Sequence, residues 1–222
     1  MLLALNEIAC TQAKPTQYTR EQCNQIMDYA ATYPQVYVRF HASDMILAID
    51  SDAAYLVMPN AKSRIAGYFQ LNDHPDRIQH PDINGAILVE CKALRNVMLS
   101  VAETETAGVF HNAQRAIPIR YILEQLGHAQ SPTRIKADNS TTTGFIHNNI
   151  HQKKSKSWDM RYHWLRDREA QQQFSVFWDR GANNHADYFT KHHPTKHHLE
   201  VRQKMRFVHD KTMEPVPEEC DY

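Results

Sequence analysis

Asp52, Glu105, Asp138 and Asp187 are the residues whose types and placement could do chemistry together. Asp52 ends the first apolar strand-like run in "IDSDAAY", Asp138 ends "TRIKAD", and Asp187 lies at the start of a helical pattern in "NNHADYFTKHH". Strand ends and helix starts can gather on one edge of an α/β sheet. A helix-borne glutamate joining three such aspartates would make an oxygen-only cage, which suits hard divalent ions such as Mg2+. Paired metals held by carboxylates favour in-line attack of water on a phosphodiester. Each acid also has a plainer reading. Asp52 and Asp138 fit as turn or cap residues, Asp187 as a first-turn helix acid, and Glu105 as the partner of a core-edge Arg or Lys.

Helix phase selects the glutamate. In "SVAETETAGVF", residues 100 to 110, Glu103 and Glu105 stand about 200° apart at about 100° per residue. Val101, Ala102, Val109, Ala113 and Ala116 share the side of Glu105, while Ala107, Phe110, His111 and Gln114 lie nearer Glu103. Glu105 is therefore expected to face inward, where an unpaired carboxylate is costly, and Glu103 to sit on a more polar surface. Asp50 competes with Asp52, because residues two apart on a strand share a face.

The elements that must position these acids follow from periodicity and punctuation. Residues 17 to 33 read as a helix capped by Thr19 and ended at Pro34. A β-branched and aromatic stretch then gives a strand from 45 to about 55, followed by strands at 63–72 and 86–91 joined by turns. That is an antiparallel meander. From Leu99 to Gly127 the pattern is helical and is expected to split into two helices near Pro118. "TRIKAD" is a short strand, and "NSTTTGFIHN" starts a helical turn. "SKSWDMRYHWLRDREAQQQ" is a helix with Trp158, Tyr162 and Leu165 on one side. "FSVFWDR" is a strand and "NNHADYFTKHH" a last short helix. The order predicts an α/β domain with a mixed sheet.

Composition excludes little. Lys+Arg and Asp+Glu both number 25, so nucleic-acid binding would need a local patch rather than overall charge. The four cysteines are scattered without a CxxC pair and read as reduced thiols. "MLLAL" is too short for a signal-peptide core, and no apolar run approaches a membrane span. These features lead to the expectation of a soluble intracellular chain, cytoplasmic or nuclear. His192, His193, His197 and His198 have no acidic or cysteine partner at zinc-ligand spacing, and read as a solvated polar terminus.

The order Asp, Glu, Asp, Asp on this strand–helix layout resembles ribonuclease H. "DSDAAYLVMPNAKSRIAGYFQLN", "AETETAGVFHNAQRAI", "IKADNSTTTGFIHN", "KSKSWDMRYHWLRDRE" and "NNHADYFTKHH" are similar to consecutive blocks of the ribonuclease H region of copia-type retrotransposon polyproteins. The match runs over about residues 45 to 195. "CTQAKPTQYTREQCNQIMDYAAT" before it resembles the connecting tail of the reverse transcriptase. The resemblance implies a five-stranded mixed sheet, a three-strand antiparallel meander plus parallel strands, flanked by helices. It divides the chain into an extension over 1–44, a ribonuclease H-like domain over 45–198 and a flexible tail over 199–222. Thr106 and Gly108 replace bulkier residues of that pattern, which would loosen packing beside Glu105.

Carried over by motif, the resemblance makes Asp52, Glu105, Asp138 and Asp187 the catalytic metal ligands for two Mg2+ ions, with Mn2+ able to substitute. The activity implied is endonucleolytic hydrolysis of the RNA strand of an RNA–DNA hybrid. The hybrid would be held by Lys153, Lys154, Lys156, Arg161, Arg166 and Arg168 and by Arg180, with Asn139, Ser140 and Thr141 beside Asp138 as candidates for reading 2′-hydroxyls. The loop "DRGANNHA" lacks the mobile histidine of cellular ribonucleases H, and His185 reads as a surface residue. A polymerase domain of a longer polyprotein is the implied partner. A non-catalytic, nucleic-acid-binding remnant is the rival reading. Integrase fits poorly, because its acid order ends Asp, Asp, Glu and its HHCC zinc module is absent.

Overall fold

The computed structural model describes residues 1–74, 83–147, 156–205 and 207–208. Two helices, α1 (Leu2–Thr11) and α2 (Gln17–Thr32), precede the short β1 (Val36–Tyr37). β2 (Ile46–Met58), β3 (Lys62–Asn72) and β4 (Ala86–Ala93) follow, then α3 (Val101–Gln125), β5 (Thr133–Ala137), α4 (Ser140–Ile146), α5 (Lys156–Ala170) and β6 (Phe174–Trp178). The chain continues through two 3-10 turns, Gly181–Asn183 and His185–Phe189, to α6 (Thr195–Met205) and β7 (Phe207–Val208).

β2 to β6 make one sheet in the order β4-β3-β2-β5-β6. β2, β3 and β4 are mutually antiparallel, while β5 and β6 run parallel to β2. This is the mixed five-stranded sheet expected, with β2 central. Strand alternation divides β2 cleanly. Leu47 and Ile49 join Phe69, Ile135, Phe174 and Val176 in a core closed by Val109, Ala113, Ala116 and Leu123 of α3, Ile146 of α4 and Leu165 of α5. Asp50 and Asp52 point to the opposite face, where the turn His185–Phe189 packs.

α3 crosses the sheet at close range. Asn112 of α3 donates through Nδ2 to Ser51 Oγ and to the Ala66 carbonyl, both at 2.9 Å. Gly67 makes room for it, since a Cβ there would lie 2.4 Å from Asn112 Oδ1 and 2.7 Å from the Phe69 ring. Gly67→Ala is therefore expected to cost about 2 kcal/mol through overpacking, read as a lower urea midpoint with unchanged m-value. Gly108, which was expected to loosen the packing, is buried where a Cβ would meet Ala53 and Ile65 at 3.4 and 3.5 Å, ordinary van der Waals contact.

Three expectations need correction. α3 does not break at Pro118 but runs unbroken from Val101 to Gln125. Pro118 and Gln114 lie on the exposed side, while Ala113, Ala116 and Leu123 hold both halves of the helix to the sheet. α2 is capped by Thr16, with Thr19 as its reciprocal partner three residues on, rather than by Thr19 alone. The boundary expected at residue 198 falls inside α6. Arg202 of that helix is buried, with its guanidinium 3.8 Å from the centroid of the Tyr33 ring. Residues 209–222 lie outside the described residues.

Candidate active site

Asp52, Glu105 and Asp138 come together where the sheet's parallel half ends. β2 and β5 pair in parallel from Ala48 with Arg134 to Asp50 with Lys136. Continuing that register sets Asp138 beside Asp52, one residue past the end of β5. Glu105 reaches the same place from the first turns of α3, its carboxylate accepting the Ala53 backbone N–H. One oxygen from each of the three lies within 4.8 Å of the others.

The two glutamates have separate duties, although both are buried. Ser100 Oγ accepts the Glu103 N–H at 3.1 Å, and Glu103 Oε2 accepts the Leu99 N–H at 2.7 Å. Glu103 is thus a capping acid at the positive end of the α3 dipole, and not the surface residue its phase suggested. Glu105 Oε2 is buried with no hydrogen-bond partner among the described residues.

Burial and repulsion from neighbouring acids raise all three carboxyls. Burial, then repulsion from Asp52 and Asp138, pushes the Glu105 carboxyl up to about 9. Burial also raises Asp52, to about 6, against the hydrogen bond it accepts from Thr190 Oγ1, with Asp138 and Asp187 adding to the rise. Asp138 is raised by burial and by Asp187. Gly181 lies against Asp138, and a Cβ there would stand 3.0 Å from Asp138 Oδ2.

Asp187 is not brought into the group of three. It is ion-paired with Lys191, one turn along the chain, and its Oδ2 lies 3.8 Å from His193 Nε2. Burial would lower the Lys191 pKa, but Asp187, Asp52 and Asp138 together raise it. Asp50, the rival of Asp52, is already satisfied. It accepts from the His185 backbone N–H at 3.0 Å and from His185 Nδ1 at 2.6 Å, with Lys136 Nζ at 3.3 Å. Burial would raise Asp50, yet His185 and Lys136 hold it below the usual carboxylate range. His185 is therefore a partly buried clasp on Asp50 rather than a surface residue.

The residues expected to touch nucleic acid are dispersed. Asn139 Oδ1 caps α4, accepting the N–H groups of Thr141 and Thr142 at 3.0 and 3.1 Å, while Ser140 and Thr141 are exposed beside Asp138. Arg161 is half-buried, its guanidinium 6.0 Å from the Phe110 ring centroid and 4.0 Å from Met98 Sδ. Arg166 donates to the Tyr162 hydroxyl at 2.9 Å, and Arg168 lies over Trp164. Arg180 is exposed in the loop before Gly181–Asn183. Lys153, Lys154 and the side chains of Lys156 and Trp158 lie outside the described residues.

The histidine-rich stretch is more ordered than a solvated terminus. Tyr188 stacks with His193 on one contact and His198 on another, at interplanar angles of 12° and 18°. His198 Nε2 also meets the Tyr29 hydroxyl at 3.1 Å, joining α6 to α2. Thr190 and Lys191 were not singled out from the sequence. Their spacing of three and four residues after Asp187 puts them on its own turn, which is the signal that marks them.

A mixed sheet in this order, with three carboxylates at the end of its central parallel pair, defines a ribonuclease H-like fold. No family model matches the chain. Over 107 residues it is 27% identical to the retrovirus-related Pol polyprotein from transposon TNT 1-94 of Nicotiana tabacum. That alignment covers 48% of this chain and 8% of the polyprotein. The resemblance to a retrotransposon polyprotein noted from the motifs is matched by this sequence similarity. Among solved structures, the N-terminal ribonuclease H domain of a Mycobacterium tuberculosis protein is 12% identical at a TM-score of 0.47, covering 72% of this chain and 96% of that one. Ribonuclease H1 of Halobacterium salinarum is 10% identical at a TM-score of 0.44, covering 65% and 93% respectively. No helix among the described residues is long and apolar enough to cross a membrane.

Proposed function

We propose that this domain is a metal-dependent endonuclease that hydrolyses the RNA strand of RNA–DNA hybrids, working as part of a retrotransposon-type polyprotein. The observation that carries this reading is the carboxylate group itself. Asp52, Glu105 and Asp138 offer oxygens within 4.8 Å of one another, and one oxygen of Glu105 is buried with no hydrogen-bond partner among the described residues. Leaving three such acids together without a cation is costly, and the donors are all hard oxygens, as Mg2+ requires.

Asp52, Glu105 and Asp138 would hold the metal, with Asp187 completing the set for two Mg2+ ions or Mn2+ in their place. Bound there, divalent ions would lower the pKa of an attacking water and stabilise a departing 3′-oxygen. The remaining work belongs to the chain. Thr190 orients Asp52 through its hydroxyl. Lys191 places an ammonium group at the edge of the acids, where it offsets their mutual repulsion. The exposed Ser140 and Thr141, next to Asp138, would meet ribose hydroxyls in the wide minor groove of the hybrid. Arg180 and the basic 153–168 segment would supply phosphate contacts.

The test is a substrate panel. End-labelled RNA presented as an RNA–DNA hybrid, as duplex RNA and as a single strand is incubated with the chain and Mg2+. Cleavage confined to the hybrid, lost with a chelator, is the expected result. Salt-sensitive binding without cleavage at any Mg2+ or Mn2+ concentration would replace this reading with that of a non-catalytic remnant.

A further inference from the structure

α1 precedes the sheet by more than thirty residues of chain, yet one of its side chains is wired to the carboxylate group. Arg64 of β3 is 2% exposed, so its charge has almost no water to stabilise it. Its Nη2 donates to Glu7 Oε1 of α1 at 3.2 Å, and its Nη1 donates to the Thr190 carbonyl at 3.3 Å. The hydroxyl of the same Thr190 donates to Asp52 Oδ2. Four residues from three distant parts of the sequence thus form one chain of contacts from the extension to the acids.

Two further contacts fix the same segment. His192 Nε2 lies 3.0 Å from Glu7 Oε1, and Cys91 Sγ donates to the Phe189 carbonyl at 3.1 Å. Residues 189 to 192 are therefore held at three successive points, two of which depend on Glu7. This segment carries both Thr190, which orients Asp52, and Lys191, which pairs with Asp187.

We infer that Glu7 and Arg64 are positioning residues for the metal centre, and that α1 is a working part of the nuclease domain rather than a linker to it. The inference rests on the reading of the acids as metal ligands. Removing Glu7 leaves the Arg64 cation buried and unpaired, so Arg64 must move. The Thr190 carbonyl then loses its donor, and the hydroxyl that orients Asp52 shifts with it. Loss of an orienting partner behind a metal ligand typically weakens metal affinity by about 10- to 100-fold.

The experiment uses the full chain as wild type, Glu7→Gln and the double variant Glu7→Gln/Arg64→Met. The double variant removes the stranded cation and so separates stability from positioning. Three quantities are read: Tm, hydrogen-exchange protection of the amides from 187 to 191, and Mg2+ affinity by calorimetry without nucleic acid. Glu7→Gln is expected to lose protection at 187–191 and to bind Mg2+ about tenfold more weakly. The double variant is expected to recover Tm while Mg2+ affinity stays low. Recovery of Mg2+ affinity along with Tm in the double variant would show a purely structural pair and overturn the inference. So would wild-type protection and Mg2+ affinity in a folded Glu7→Gln. None of these readouts requires cleavage. A wild-type chain that binds Mg2+ but cuts no hybrid would overturn the nuclease reading and leave the positioning result to stand.

Discussion

Glu105→Gln is expected to make the metal-free protein more stable while removing its response to Mg2+. Burial and neighbouring acids push the Glu105 carboxyl up to about 9 from its ordinary 4.5. The sign follows from proton binding. Between those two values the folded state holds a proton that the unfolded state has released, so stability falls as pH rises through this window. At pH 7 the penalty is on the order of 3 kcal/mol, at about 1.4 kcal/mol per unit. An uncharged amide of the same shape avoids it. The variant should melt several degrees above wild type without metal, at about 2–4 °C per kcal/mol for a chain of this size. Wild type should gain stability on adding Mg2+, and the variant should gain almost none. Equal or lower Tm in the variant would mean that Glu105 is satisfied by a partner in the metal-free fold.

The second large effect is on the pH dependence of metal binding. Asp52 at about 6 and Glu105 at about 9 both hold protons that a bound cation must displace. Metal binding is therefore expected to release protons, with apparent affinity rising with pH. Between pH 6 and 8 the Glu105 proton alone implies a gain of about 100-fold, one decade per unit. Calorimetry in two buffers of different ionisation enthalpy reads both the affinity and the proton count. A flat profile over that range would remove Glu105 from the ligand set.

Much of this arrangement was legible before folding. The strands at 45–55, 63–72 and 86–91 show β-branched enrichment bounded by turn residues, and they appear as β2, β3 and β4. Helix phase alone separated Glu105 from Glu103, because only a carboxylate on the apolar side of α3 can reach β2. What phase could not supply was the duty of Glu103. Its burial comes from capping, which depends on the backbone entering the helix at Leu99 and Ser100 rather than on which side of the helix the residue faces. Pro118 misled for a related reason. A proline removes the hydrogen bond to the residue four back, here Gln114, but the packing of Ala113, Ala116 and Leu123 on the sheet holds α3 continuous across it.

The remaining differences lie in contacts made across long sequence distances. Nothing local to "IDSD" shows that Asp50 is clasped by His185, 135 residues away, leaving Asp52 free to face Asp138. His198 read as solvated because its partner Tyr29 lies 169 residues away on α2. The same is true of Glu7, which nothing in the sequence ties to Arg64 or Thr190.

The most direct measurement compares wild type with Asp138→Asn on a labelled RNA–DNA hybrid in Mg2+. Asp138 stands at the end of β5 with its carboxylate in the group of three, and asparagine keeps its size while removing a charged ligand. The expected result is hybrid cleavage by wild type and none detectable by Asp138→Asn, with hybrid binding and fold retained in both. Equal cleavage by the two proteins would contradict the account, placing the activity somewhere other than this carboxylate group.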